Sequence, residues 1–260
     1  TVRLDELLAD LESKVELPRS FIIPGGPPAA AARHLARTIV RRPARALGGE
    51  AKPELRVWSA WAAVLLGDRS HGLAAMRAFA LEPGPRQMKA LQLSLMAMDA
   101  EAGHALLAAC ASLPGAARLR IIGAGLVGDA RYAPWLIEQM AGPATARIAA
   151  EAFVNITGVD FNLEQMEVPP PDGFEEGPSD DPDDENIDLP EDMALPWPDV
   201  QRMRHWWQAN AGRFAAGQRY FLGRPVSEAA CVQTLREGFQ RQRTALDRAG
   251  FTHVPILSYA

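Results

Sequence analysis

The sequence predicts an all-α protein whose central part is an α-solenoid, a stack of similar helix pairs. Two observations predict this fold: a motif that recurs about every 30 residues, and an alanine-rich composition in which aromatic residues make up only 7%. Small residues let helices pack closely, and a constant period with two helices in each unit is typical of solenoids. We expect about four helix pairs, then an acidic proline-rich linker and a C-terminal helical cap.

The recurring motif is a turn that ends in aspartate. It reads LLGD at Asp68, MAMD at Asp99, LVGD at Asp129 and TGVD at Asp160, with spacings of 31, 30 and 31 residues. An apolar stretch precedes each aspartate, and a second amphipathic stretch follows each of the first three. One helix pair cannot bury its apolar face alone, so the units are expected to stack. We assign residues 50–165 to these repeats.

Three of these aspartates, Asp68, Asp99 and Asp129, are predicted to be structural N-caps of the helices that follow them. A carboxylate at that position accepts hydrogen bonds from backbone amides that have no partner inside the helix. Gly67 and Gly128 fit the ends of the preceding helices, where the backbone turns left-handed. The alternative is that the aspartates are metal ligands or catalytic acids. It is disfavoured because catalytic residues have no reason to recur with a structural period.

The segment 166–198 is dominated by proline and carboxylates, and from residue 168 onward it holds no basic residue. Such a composition cannot bury enough apolar surface to offset chain entropy, so an extended linker is expected. Asp181, Asp183 and Glu185 alternate as in a calcium loop, but the turn glycine and the closing glutamate are missing. Two interpretations stay open: a solvated linker, and a docking segment for a basic partner.

The last part of the chain, residues 199–260, is predicted to be helical again, with a helix start at Asp199. The adjacent Trp206 and Trp207 are interpreted as part of a cap on the end of the solenoid rather than as a ligand cage. This region is rich in arginine, whereas the preceding segment is acidic. The two are therefore expected to attract each other electrostatically.

The sequence does not indicate a catalytic or metal site. Four histidines have no partners at recognised metal-ligand or triad spacings: His71, His104, His205 and His253. Cys110 and Cys231 lie far apart in apolar patterns, so we expect buried reduced thiols rather than a disulfide or a nucleophile.

Charge and hydropathy exclude other classes of protein. The formal net charge of −5 argues against a general nucleic-acid binder, which usually carries a basic face. No apolar run approaches the ~20 residues of a membrane span, and no signal peptide opens the chain. We expect a cytoplasmic protein with neither a nucleic-acid partner nor a membrane insertion.

The opening residues carry a motif of a different kind. Phe21–Gly26, reading FIIPGG, is followed by the helical pattern RHLARTIVRRPAR. On these residues the segment 1–46 resembles a fragment of the PduO-type ATP:cob(I)alamin adenosyltransferases. The resemblance implies ATP with Mg and cobalamin as ligands, with phosphate contacts from Arg37, Arg41 and Arg42. Several guanidinium groups on one helix face would neutralise a triphosphate.

The same segment departs from that family at two positions and lacks one of its parts. Pro43 and Ala44 stand where that family has alanine and glutamate, and proline inside a helix costs ~3 kcal/mol. The glycine-rich nucleotide segment of those enzymes is absent. We therefore expect residues 1–46 to be helices that pack on the start of the solenoid. The alternatives are a remnant nucleotide site and a gene fusion.

A second resemblance covers residues 50–245. The order of their features, from GDARYAPWLIEQM through the acidic segment to LPWPDVQRMRHWWQANAGRF, resembles an uncharacterised bacterial family of HEAT/PBS-lyase-like repeat proteins. Members of that family are often encoded near type VI secretion clusters, which implies a scaffold or adaptor by association only.

Together these observations predict a non-enzymatic helical-repeat scaffold or adaptor, associated with secretion, that binds a protein partner and uses no cofactor or metal. The alternative function is an ATP:cob(I)alamin adenosyltransferase, or a degenerate ATP or cobalamin binder, that uses the opening segment.

Overall fold

The computed structural model describes residues 53–65, 67–174 and 192–237, and these residues are mostly α-helical. The opening segment 1–46, with Arg37, Arg41 and Arg42, lies outside the described residues. So does the middle of the acidic segment. The division of the chain into the four segments given above stays a prediction.

The helices follow the turns that the sequence marks. In chain order, α1 to α9 cover Pro53–Leu65, His71–Leu81, Gln87–Ala97, Ala100–Ala109, Ala116–Val127, Ala133–Gln139, Ala146–Thr157, Val200–Asn210 and Glu228–Glu237. Short 3-10 turns cover Cys110–Ser112, Ala130–Tyr132 and Ala211–Arg213. Helix α5 ends at Gly128, whose φ of +71° confirms the left-handed turn predicted there. Gly67 is likewise left-handed, at φ +96°.

Neighbouring helices pack in a regular order from α1 to α7. Helix α2 packs between α1 and α3, α4 lies against α3 and α5, and α6 lies against α7. Helix α1 also packs against α3, α3 against α5, and α5 against α7. Helix α8 packs on α6 at the far end of this array.

The core consists of two clusters of buried side chains that meet at α5. The first joins α1 to α5 and includes Met76, Leu91 and Leu106. The second joins α5 to α8 and includes Phe153 and Met203. Helix α5 contributes to both clusters because its buried residues point in two directions, as a helix between two neighbours requires.

Small residues allow α5 and α7 to approach closely. A Cβ added at Gly125 would lie 3.0 Å from Cα and 3.1 Å from Cβ of Ala152. Ala149 and Ala124 on the same two helices are fully buried. The alanine- and glycine-rich composition of the sequence thus sets the spacing of these helices, since a larger side chain at either position would push them apart.

The two ends of the acidic segment are paired with each other. Strand β1, Glu167–Val168, lies antiparallel to β2, Trp197–Pro198, and the Asp199 amide donates to the Met166 carbonyl oxygen over 2.7 Å. Met166 and Trp197 are buried. Whereas composition predicted an extended linker over 166–198, these two apolar side chains fix its ends to the helical body.

The chain after β2 returns to cover the ends of α5 and α7. Helix α8 begins after Asp199, whose carboxylate accepts from the amides of Gln201 and Arg202. A hairpin follows, in which β3, Tyr220–Phe221, pairs with β4, Arg224–Pro225. Its backbone amides donate to helix-terminal carbonyl oxygens: Tyr220 to Gly128, Leu222 to Asn155 and Gly223 to Ile156.

Within the described residues, no helix is both long enough and apolar enough to cross a membrane.

Candidate functional site

Of the predicted capping aspartates, Asp99 is the N-cap of its helix, but Asp68 is not: the N-cap of α2 is Ser70, two residues further on. Asp68 lies before that cap and still bonds the first turn. The Asp68 carboxylate accepts from the amide and hydroxyl of Ser70, each at 2.8 Å, and from the Gly72 amide in the first turn of α2. The Ser70 hydroxyl and amide lower the pKa of Asp68, because both hydrogen bonds favour the charged form. Asp99 is the N-cap of α4, and its carboxylate accepts from the Ala102 amide at 2.8 Å.

The third, Asp129, belongs to a buried polar cluster that the sequence analysis did not foresee. Its carboxylate is fully buried and accepts from the Arg131 amide at 3.0 Å. His104 Nε2 of helix α4 lies 3.1 Å from Asp129 Oδ2, and His104 Nδ1 lies 2.7 Å from the Tyr132 hydroxyl. Burial raises the pKa of Tyr132, so the phenol keeps its proton at neutral pH.

Hydrogen bonds join the three side chains of this cluster into one network. His104 Nε2 donates to the Asp129 carboxylate, and the Tyr132 hydroxyl bonds Nδ1 on the other side of the ring. Each of these polar groups therefore has a partner, as a largely buried network requires. Neither of the two clefts described below is lined by these side chains. The network links α4 to the turn after α5.

Arg219, from the C-terminal part of the chain, binds backbone carbonyl oxygens in the same region. Its guanidinium donates to three backbone carbonyl oxygens: that of Met98 at 3.2 Å, that of Leu126 at 2.8 Å and that of Val127 at 2.9 Å. Burial lowers the pKa of Arg219, while the charge of Asp99 opposes that shift. A cation at the C-terminal ends of helices is favoured because the last carbonyls carry partial negative charge.

A candidate binding surface in the described part of the chain is a groove of about 960 Å³ beside α7. We call it the proline-aromatic groove. It is lined by residues from α7, from the turn after it and from both ends of the acidic segment: Arg147, Phe161, Asn162, Glu167, Val168, Pro169, Pro170, Phe174, Met193, Ala194, Leu195, Pro196 and Trp197.

Aromatic rings pack against each other and against Arg147 in the lining of this groove. The Phe174 and Trp197 rings meet edge to face with centroids 4.7 Å apart. The Arg147 guanidinium lies 5.0 Å from the Trp197 ring centroid and 5.8 Å from that of Phe174, and Arg147 is only 5% exposed. Contacts of this kind add about 0.5–2 kcal/mol each when they are partly desolvated.

The rim of the groove exposes apolar side chains. Met193 is 47% exposed and Val168 is 36% exposed, and both line the groove. Leu163, which follows the lining residue Asn162, is 80% exposed. Apolar side chains grouped at a concave surface are typical of protein-binding sites.

An ion pair holds the second end of the acidic segment in place. Asp192 receives two hydrogen bonds from the Arg118 guanidinium on α5, at 2.6 and 2.9 Å. This contact joins the acidic segment to α5, whereas the sequence pattern had suggested the C-terminal arginines. Two parallel hydrogen bonds give such a pair both strength and orientation.

A second cleft of about 720 Å³ lies between α8 and the turn after α7. Its charged lining side chains have both signs: Asp160, Glu164, Arg202, His205 and Arg213. Arg202 donates to the carbonyl oxygen of Gln165, a residue with a φ of +49°. This mixture of charges selects no single class of ligand.

Metal binding and thiol chemistry gain no support from the described part of the chain. No group of three or more His, Cys, Asp or Glu side chains is placed there to hold a metal ion. Cys110 is free and buried, and burial raises the pKa of its thiol. A raised pKa makes this thiol a poor nucleophile at neutral pH.

Comparison with known families gives one match. A family model described as "Cobalamin adenosyltransferase" matches residues 1–55. The match supports the resemblance of the opening segment to that family, and it covers about a fifth of the chain. No curated protein and no solved structure matches this sequence. The resemblance of residues 50–245 to a secretion-associated repeat family gains no support from these comparisons and stays a prediction.

Proposed function

We propose that this protein is a non-enzymatic helical-repeat scaffold or adaptor, in which stacked helix pairs form an α-solenoid that presents a binding site for a protein partner. The observation that carries this function is the proline-aromatic groove, a concave surface with packed aromatic rings in its lining and apolar side chains exposed at its rim. Association with secretion machinery and a cytoplasmic location belong to the same proposal, on the strength of the resemblance of residues 50–245.

The packing order of α1 to α7 supports the solenoid. Each odd-numbered helix lies against the next odd-numbered helix, as the inner helices of a stack do. In each successive pair, an aspartate turn lies between the first helix and the second. Solenoids use the surfaces formed by successive repeats to bind other proteins. Here the groove lies at α7, the helix of the last repeat.

Crosslinking capture from cells tests this function. We would compare the wild-type chain with the double variant Val168→Ser, Met193→Ser and identify the retained proteins by quantitative mass spectrometry. The matched control is Leu65→Ser, since Leu65 is 51% exposed on α1, outside the groove. A protein retained by the wild type and the control but lost from the double variant is expected. Identical protein sets from all three chains would overturn the proposal.

A second candidate function is favoured by the family match at residues 1–55. It is binding of ATP with Mg, or of cobalamin, by the opening segment, with Arg37, Arg41 and Arg42 as phosphate contacts. Calorimetric titration of the full chain with Mg-ATP and with hydroxocobalamin tests it. Saturable heat that is lost in Arg41→Ala and Arg42→Ala, but kept in Arg33→Ala, would establish this activity.

A further inference from the structure

We infer that three backbone carbonyl oxygens, those of Met98, Leu126 and Val127, form a binding site selective for a guanidinium group. Arg219 fills this site from within the chain, and a small guanidinium compound can fill it when the Arg219 side chain is removed. The site lies where the ends of α3 and α5 meet the C-terminal part of the chain. None of its residues lines the proline-aromatic groove, so it is independent of the proposed function.

The acceptors of this site lie at helix ends. Met98 is the C-cap of α3, and Leu126 and Val127 are the last two residues of α5. The last carbonyls of a helix have no amide of the same helix to accept from, so each needs a donor from elsewhere. They also carry partial negative charge, which favours a cation. The two helix ends therefore form a cluster of acceptors that suits a cationic donor.

Each nitrogen of the Arg219 guanidinium donates to a different oxygen. Nε donates to the Val127 carbonyl over 2.9 Å, and Nη2 donates to that of Leu126 over 2.8 Å. Nη1 donates to the Met98 carbonyl over 3.2 Å. The nitrogens of a guanidinium lie in one plane at fixed angles, whereas the donors of an ammonium surround a single atom. This match to three separate acceptors therefore selects guanidinium over ammonium.

The charge and accessibility of the site also suit a small cation. The acceptors of these three hydrogen bonds are neutral, and the nearby charge of Asp99 favours the protonated guanidinium. Hydrogen bonds from a charged donor are stronger than those between neutral groups. Arg219 is half-buried. Removing its side chain consequently opens the site to solvent and admits a small ion.

The site also holds the C-terminal hairpin to the helices. The Tyr220 amide, next in the chain, donates to the Gly128 carbonyl oxygen over 2.8 Å. The Val226 amide at the other end of the hairpin donates to the Arg219 carbonyl oxygen over 2.9 Å. The Arg219 side chain and these backbone bonds thus attach the same short stretch of chain. Without the guanidinium, the hairpin should open locally more often.

Chemical rescue of the full chain carrying Arg219→Ala tests the site. Thermal unfolding is followed by circular dichroism in methylguanidinium chloride or, as the matched cation, methylammonium chloride. Both are used at up to about 50 mM, far below the molar range in which guanidinium denatures proteins. Methylguanidinium should raise the Tm of Arg219→Ala by about 2 °C along a saturating curve, because a ligand of the folded state stabilises it. Methylammonium should not raise this Tm.

Three further chains act as controls. The wild type should gain nothing from methylguanidinium, since Arg219 already fills the site. Arg204→Ala removes an exposed arginine that donates to Gln201, and it should behave like the wild type. Arg219→Lys keeps the charge but not the planar donors, so its Tm should stay below that of the wild type. Amide exchange at Tyr220 should be about tenfold faster in Arg219→Ala and unchanged in Arg204→Ala.

Several results would overturn the inference. Equal stabilisation of Arg219→Ala by the two compounds would show that the site accepts any small cation. The same gain in the wild type or in Arg204→Ala would show that methylguanidinium acts elsewhere on the chain. No gain in a folded Arg219→Ala chain would show that the carbonyl oxygens do not form a binding site. If Arg219→Ala does not fold in buffer, its helical circular dichroism becomes the readout, which methylguanidinium must restore and methylammonium must not.

Discussion

Asp129 differs from Asp68 and Asp99, the other aspartates predicted to be caps, in how many groups depend on it. Asp68 and Asp99 each serve residues at most four positions away, whereas Asp129 is fully buried and also accepts from His104 on α4. Removing a cap from an exposed helix start costs about 1 kcal/mol. Removing Asp129 also leaves the largely buried imidazole of His104, whose side chain is 10% exposed, without its acceptor, which adds about 1–3 kcal/mol.

The first prediction therefore ranks the aspartates. Asp129→Ala should lower the free energy of unfolding by about 2–4 kcal/mol, and Asp99→Ala by about 1 kcal/mol. Urea unfolding followed by circular dichroism measures both. Equal losses for the two variants would mean that the contact between Asp129 and His104 contributes nothing beyond capping.

At the scale of elements, the end of α5 is where the helical array α1 to α7 meets the C-terminal hairpin. Gly128 has a φ of +71°, and a Cβ added there would collide with the carbonyl oxygen of Tyr220. Gly115, at the start of the same helix, has a φ of +69° but no atom within 4 Å of an added Cβ. The two glycines share a backbone conformation and differ in what surrounds them.

This pair gives a matched prediction. Gly115→Ala should cost about 1–2 kcal/mol, the usual penalty for a side chain in the left-handed region. Gly128→Ala should cost more, because the hairpin must also move away from α5. Thermal unfolding compares the two, and amide exchange at Tyr220 should rise in Gly128→Ala only. Equal destabilisation with unchanged exchange would contradict the close contact.

Which contacts can be predicted from the sequence depends on how far apart the two residues lie along the chain. The helix start at Asp199 could be predicted because the groups involved are two or three residues apart. The partner of His104 could not, since Asp129 and Tyr132 follow it by 25 and 28 residues and no spacing rule describes that contact. The groove could not be predicted for a related reason. The composition of the whole acidic segment indicates an exposed linker, but two single apolar residues in it, Met166 and Trp197, are buried and fix its ends.

For the whole molecule, Cys110 reports opening of the fold. It is fully buried in the first core cluster, and burial raises the pKa of its thiol. In a Cys231→Ser chain, Cys110 should therefore react with a disulfide reagent only when the structure opens. We expect one thiol to be titrated quickly in denaturant and none on the same timescale in native buffer. Rapid native reaction would show that α1 to α5 open locally.

The hydrogen bonds of Arg219, the residue just before the hairpin, can form only late in synthesis of the chain. Arg219 reaches back 121 residues to the Met98 carbonyl oxygen and 92 residues to that of Val127. While the ribosome is still adding residues 130 to 218, the carbonyl oxygens of Met98 and Val127 can accept hydrogen bonds from water but not from Arg219. Helices α1 to α7 can pack as they emerge from the ribosome. The contacts of Arg219 and the hairpin with these helices form only when that part of the chain has left the exit tunnel. A messenger truncated before that point would yield a stack with an unfinished end.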